Sequence, residues 1–173
     1  MSQTRFAFTT RRTALALAVF SAVLGTAAQA ETTDTLKKIK DSGTITLGVR
    51  ESSGALAYTL GNGKYVGFHT EMAERVAQDI RKKLGMSSIT VKYQPVTSQN
   101  RIPLVQNGTV DLECGSTTNN RARQKDVAFA VTTYVEEVRI AVKANSGITS
   151  IKDLAGKTVA TTTGTTSVQT LRK

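Results

Sequence analysis

From Asp34 onward the apolar positions switch repeatedly between helical spacing and strand-like alternation, a succession that predicts a layered α/β domain. Asp34 is placed to cap a short helix carrying Leu36 and Ile39, and Gly43 to stop it. Thr44–Val49 alternates like a strand and delivers Arg50, Glu51, Ser52 and Ser53 to its carboxyl end. Gly61-Asn62-Gly63 has turn chemistry, and residues 64–68 form a short strand after it. The clearest helical period starts near His69 or Thr70. Met72, Val76, Ile80 and Leu84 recur every fourth residue beside Ala73 and Ala77, while Glu71 with Arg75, and Asp79 with Lys83, are spaced for surface pairs. Arg81, Lys82 and Lys83 suit the last turn, and Gly85 ends it.

Residues 89–93 predict the next strand, which ends at Pro95. Pro103 lacks an amide hydrogen, so its helix begins within the preceding few residues, near Asn100. Ser98 and Arg101 then lie at a helix amino terminus, where free backbone amides favour an anion. Asn107-Gly108 closes that helix, residues 109–113 predict a short buried strand, and a loop from Gly115 leads into a basic turn with Arg121 and Arg123. Farther on, residues 134–143 are extended, residues 144–149 form a polar link, and Ser150 with Asp153 fits a capping box. Residues 156–161 predict a strand, followed by a helix start at Val168 whose Gly164, Thr165 and Thr166 form one more anion-holding terminus. Ligands of open α/β sheets sit at the carboxyl ends of strands, so Arg50, the Ser98 turn and the 115–123 loop converge on one edge.

The residue types on that edge suit carboxylate capture better than bond-making. Arg101 and Arg123 can each fork onto a carboxylate, and Ser98, Ser116, Thr117 and Thr118 supply short donors that cost little side-chain entropy to fix. Taken singly, each hydroxyl could equally be a turn or capping residue and each arginine a surface charge; it is the set at strand ends that points to a ligand. Gly156-Lys157-Thr158 lacks the earlier glycine of a phosphate-binding loop and has no strand before it, which excludes that motif. No cofactor, metal site or catalytic residue is expected.

The first thirty residues form an address. Arg5, Arg11 and Arg12 make a basic region, residues 13–25 an apolar run too short to span a bilayer, and Ala28-Gln29-Ala30 a small-x-small cleavage site, so export with cleavage after Ala30 is expected. The arginine pair alone does not separate twin-arginine from general export. Losing those three arginines lowers the formal charge from +10 to +7 and leaves a length suited to one domain. The remaining Lys and Arg are scattered and aromatics are few, which speaks against nucleic acid. The charge is a solvated surface that also attracts anions. Cys114, the only cysteine, is either a small buried residue or half of a disulfide whose partner lies outside this sequence. The only histidine, His69, is not brought near Cys114 by anything in the sequence, so a catalytic thiol is not indicated.

Five segments together resemble a known family: Gly48-Val-Arg-Glu-Ser-Ser53, Thr97-Ser-Gln-Asn-Arg-Ile-Pro-Leu104, Gln106-Asn-Gly-Thr109, Asp111-Leu-Glu-Cys-Gly-Ser-Thr-Thr-Asn-Asn120 and Thr163-Gly-Thr-Thr-Ser167. They look like the periplasmic glutamate/aspartate-binding proteins of amino-acid ABC transporters, within the solute-binding proteins of family 3. The resemblance implies a type II periplasmic-binding-protein-like bilobed α/β fold that closes around its ligand. Residues 31–142 would form a nearly complete first lobe and residues 143–173 the start of a second, truncated one. It also implies that Arg50, Ser98, Arg101 and Ser116 hold the ligand's side-chain carboxylate, that Thr118 and Arg123 hold its α-carboxylate, and that the Thr165 region, with Thr166, contributes from the second lobe. Arg121 stands where the family does not require a basic residue. Gly54-Ala55-Leu56 departs from the proline and aromatic usual after the Glu-Ser-Ser stretch. Family chains are about twice as long, so the acidic partner of the ligand's amino group and a second cysteine are expected outside this sequence, and the chain reads as a fragment.

The expected function is therefore that of a periplasmic, monomeric solute-binding protein that captures an acidic amino acid and hands it to the membrane permease of an ABC transporter. The alternative is an exported enzyme on the same bilobed fold, a dehydratase or the regulatory lobe of a murein hydrolase, for which Glu51, Glu113 and His69 are the only acid–base candidates. A third possibility is that half a clamp exposes its lobe interface and has no function.

Overall fold

The computed structural model of the chain describes residues 34–172; the export signal expected in residues 1–30 lies outside them. Asp34 caps α1 (Thr35–Ser42) by accepting the Lys37 N–H at 3.1 Å, and Gly43 ends it by donating its N–H to the Ile39 carbonyl at 2.9 Å. β1 (Thr44–Val49) follows, then a 3-10 turn at Gly54–Leu56 and an antiparallel hairpin of β2 (Tyr58–Gly61) and β3 (Lys64–Val66). α2 (Phe68–Lys83), β4 (Thr90–Pro95), α3 (Arg101–Gln106) and β5 (Leu112–Glu113) complete the layered part.

β1 is the centre of a three-stranded parallel sheet ordered β4-β1-β5. The register sets Val49 opposite Pro95 and Gly48 opposite Glu113, so all three strands end together. Their continuations, Arg50, Val96 to Ser98 and Cys114 to Ser116, leave the sheet side by side. That juxtaposition is what builds the site.

The core consists of Ile39, Ile45, Leu47, Val49, Ala73 and Ala77, with Ile80, Leu84, Val91 and Leu112 packed around it. On α2 the buried line runs through His69, Thr70, Ala73 and Ala77, and Val76 is exposed. The apolar stripe is thus centred on the alanines rather than on the Met72–Leu84 row. Alanine lets the helix backbone approach the sheet, and the longer side chains cover the flanks. Asp79 pairs with Lys82 at 3.3 Å rather than with Lys83. His69 shares a hydrogen bond through Nε2 with the Thr133 hydroxyl at 2.9 Å.

β5 is shorter than the strand expected over residues 109–113, because a side chain takes over at Asp111. Its N–H donates to the Thr46 carbonyl at 2.9 Å, its Oδ2 accepts the Thr46 N–H at 2.8 Å, and its Oδ1 accepts Lys38 Nζ at 2.8 Å.

Beyond β5 the chain carries 3-10 turns at Arg123–Lys125 and Ile151–Leu154 and the helix α4 (Thr166–Leu171). The capping box forms as expected, although it heads a 3-10 turn: the Thr149 and Ser150 amides donate to Asp153 Oδ2 at 3.0 and 2.8 Å and hold that carboxyl below its ordinary range. The strands expected at 134–143 and 156–161 do not form ladders. A strand gains little without a neighbour to satisfy its backbone, and this stretch has none among the described residues; Val131 and Val135 are each 85% exposed. No helix of the described residues is long and apolar enough to cross a membrane.

Candidate functional site

Three guanidiniums and a string of hydroxyls meet where β1, β4 and β5 end. Arg50, buried directly after β1, donates from Nε to Ser53 Oγ at 3.1 Å, from Nη1 to the Val96 carbonyl at 2.7 Å and from Nη2 to Ser98 Oγ at 3.2 Å. Val96 is itself tied to β1, since its N–H reaches the Val49 carbonyl at 2.9 Å. Arg50 therefore fixes the loop after β4 against the end of β1. The Ser53 hydroxyl lies 3.2 Å from that of Ser116, which accepts from Arg101 Nη1 at the long distance of 3.5 Å. A continuous polar string, Ser98–Arg50–Ser53–Ser116–Arg101, crosses the sheet edge.

Arg101 is only 3% exposed, and its Nε has no hydrogen-bond partner among the described residues. Burial pushes its guanidinium down to about 10, with Arg123 and Arg50 adding to the effect and the Glu113 carboxylate opposing it. It stays charged at neutral pH, so the site holds a desolvated cation with a spare donor. Burial likewise lowers Arg123, again opposed by Glu113. Arg123 donates from Nη1 to the Thr118 carbonyl and from Nη2 to the Gly164 carbonyl, both at 2.9 Å.

The second of those bonds brings the 162–167 segment to the site. Gly164 has φ +80°, and a Cβ there would stand 2.5 Å from the Ser98 carbonyl oxygen, so the close approach requires glycine. Of the residues singled out in the sequence, Arg50, Ser98, Arg101 and Ser116 share one bonded string, and Arg123 joins Thr118 to Gly164. The Thr118 carbonyl anchors Arg123, which leaves its hydroxyl as the group that can donate to a ligand. Thr165 turns its hydroxyl back onto the Thr162 carbonyl at 2.7 Å, and the Thr166 carbonyl accepts from Thr170.

The two helix termini expected to favour an anion head short helices. α3 and α4 have six residues each, and at the entry to α3 the Asn100 and Arg101 amides are already taken. Thr97 and Asn100 exchange side-chain-to-amide bonds at 2.7 and 3.2 Å, and the Arg101 N–H donates to the Thr97 carbonyl at 3.2 Å. Positive charge on this edge comes from side chains. Sequence reasoning placed Ser53 at the strand end without giving it a contact, although its place three residues after Arg50 was a usable signal, and it read Gly164 as part of an anion-holding helix terminus rather than as a close backbone approach to Ser98.

The arrangement can hold anions, but it offers no activated nucleophile. His69 is bonded to Thr133, Glu51 is exposed, and burial, with Glu113 adding to it, pushes the Cys114 thiol up to about 11. Among the described residues no group of three or more His, Cys, Asp or Glu is placed to hold a metal.

Residues 45–172 match the family described as bacterial extracellular solute-binding proteins, family 3. The chain is 47% identical over 161 residues to the L-glutamate/L-aspartate-binding protein of Pseudomonas aeruginosa, covering 91% of this chain and 53% of that protein. It is 46% identical over 139 residues to the glutamate/aspartate import solute-binding protein of Salmonella typhimurium, covering 80% and 46%. Among solved structures it is similar to the cysteine-binding protein of Campylobacter jejuni, with a TM-score of 0.55 and 23% identity over 69% of this chain and 47% of that one, a likeness of fold. The chain spans about half the length of the curated relatives it matches.

Proposed function

The chain belongs to the bacterial extracellular solute-binding proteins of family 3, and from that premise we propose that it serves to capture an acidic amino acid, glutamate or aspartate, in the periplasm and to pass it to the permease of an ABC importer. The observation that carries this reading is the meeting of Arg50, Arg101 and Arg123 at one sheet edge, with Arg101 buried and holding an unused donor. Two carboxylates on one small ligand match such a cluster, and charge-assisted bonds in a pocket that loses water supply the affinity. In this proposal Arg50, Ser98, Arg101 and Ser116 surround the side-chain carboxylate, Arg50 also as a fixed scaffold because three of its five N–H donors are already engaged. Arg123 and Thr118 take the α-carboxylate, and the Thr165–Thr166 turn approaches from residues 143–173, the beginning of a second lobe, against a first lobe of residues 31–142. The protein acts as a monomer after removal of residues 1–30.

The family and the relatives above are binding proteins, and no observation favours the enzyme alternative. The test is titration calorimetry on the full chain its gene encodes. Glutamate or aspartate should give saturable heat, and glutamine or lysine little; preference for glutamine or lysine rejects the acidic assignment.

A further inference from the structure

One carboxylate on this edge has no part in holding the proposed ligand. Glu113 ends β5 with Oε2 accepting the Thr117 hydroxyl at 2.7 Å, while its Oε1 is buried with no hydrogen-bond partner among the described residues. Two glycines make room for it. A Cβ at Gly48 would lie 3.3 Å from Glu113 Cβ and Cγ, and one at Gly115 would collide with Glu113 Oε1 and stand 2.8 Å from Arg50 Cγ. The acid is therefore packed beside Arg50, and its field also reaches Arg101 and Arg123, where it favours the charged form of each against burial.

We infer that Glu113 is the built-in counter-charge of the arginine cluster, a positioning residue that holds three like charges in one pocket and sets which ligand charge the pocket prefers. Three guanidiniums and one carboxylate leave a net charge of about +2, which matches the two carboxylates of an amino diacid and leaves its ammonium uncompensated by the cluster. Without Glu113 the guanidiniums repel one another unopposed, and the preference moves toward ligands carrying more negative charge. The ligand half of this inference rests on the reading that the pocket takes an acidic amino acid. The charge-balance half does not.

The experiment has two arms on the full chain. Glu113→Gln keeps the size and an acceptor for Thr117 while removing the charge. In calorimetry with L-glutamate and with glutarate, which has both carboxylates and no ammonium, the variant should shift the affinity ratio toward glutarate by about tenfold or more. A ratio within about twofold of the unmodified chain overturns the specificity role, since a merely structural glutamate would change both affinities alike. In the second arm, without ligand, Glu113→Gln should lower the melting temperature and the double variant Glu113→Gln/Arg101→Met should recover most of the loss. Additive effects in that cycle overturn the counter-charge. If Glu113→Gln does not accumulate folded, failure of the double variant to rescue it overturns the inference equally. Should the unmodified chain bind neither compound, the acidic-ligand reading fails while the melting cycle still decides the charge balance.

Discussion

Asp111 and Thr46 close a complete two-bond ring: the Asp111 N–H donates to the Thr46 carbonyl at 2.9 Å, and the Asp111 carboxylate accepts the Thr46 N–H at 2.8 Å. A side chain thus does the work of a ladder partner one residue before β5. The Asp111 side chain is 2% exposed and its other oxygen accepts Lys38 Nζ at 2.8 Å. Asp111→Ala should cost about 2–4 kcal/mol, since it strands the part-buried Thr46 amide and loosens β5, which bears Glu113, against β1. Lys38→Met should cost less, because Lys38 is partly solvated. Urea denaturation checks both, and an unmoved midpoint for Asp111→Ala rejects the account.

Arg101 is expected to serve binding at the expense of stability. Its charge is buried and its Nε lacks a partner among the described residues, so Arg101→Met should leave the ligand-free melting point unchanged or higher while weakening glutamate binding by about tenfold or more. Calorimetry and thermal melts on the same preparation separate the two effects. A variant that binds normally contradicts the placement of this residue in the site.

Gly164→Ala puts a Cβ against the Ser98 carbonyl and forces a left-handed backbone on alanine. The segment should lift from the Ser98 turn and take the Arg123 contact with it. Glutamate affinity should fall by about tenfold with the far-ultraviolet circular dichroism unchanged, because the strain of about 1–2 kcal/mol is local. Unaltered affinity would mean that this turn lies outside the binding surface.

Cys114 supplies a pH signature. Its thiol is raised from 9.0 to about 11, chiefly by burial, so above pH 9 the unfolded chain loses this proton while the folded chain keeps it. Stability should therefore fall as pH rises from 9 toward 11, and Cys114→Ala should flatten that slope. Arg101, lowered to about 10 chiefly by burial, acts in the opposite sense from about pH 10 upward, so the fall should be steepest between pH 9 and 10. At pH 8 the native thiol should react with a disulfide reagent roughly a hundredfold more slowly than the urea-unfolded chain. Equal rates would show an open thiol.

Much of this was legible where the cause is local. Asp34 and Gly43 delimit α1, and Ser150 with Asp153 forms its box, because a cap is decided by neighbours in the chain. The arginines and hydroxyls at strand ends were legible because a parallel sheet stacks those ends together. What periodicity missed depends on partners distant in sequence. Val76 is exposed because the sheet packs against Ala73 and Ala77. Residues 134–143 carry a strand pattern but no ladder, because pairing needs a neighbour that pattern alone does not supply. At the start of α3 the Asn100 and Arg101 amides are bonded to Thr97, a local turn that periodicity does not show.

The seating of Gly164 against Ser98 also makes the pocket depend on segments distant along the chain. Arg50 comes first along the chain, yet its partners lie at Val96 and Ser98, and the Gly164 carbonyl that receives Arg123 comes 41 residues after Arg123 itself. Contacts of such long sequence separation close late, since loop entropy is spent before they form. The β1–β4 and β1–β5 pairings span comparable or longer separations, so the pocket forms with the sheet whose strand ends it joins, and ligand capture becomes a functional assay of whether those distant segments have come together.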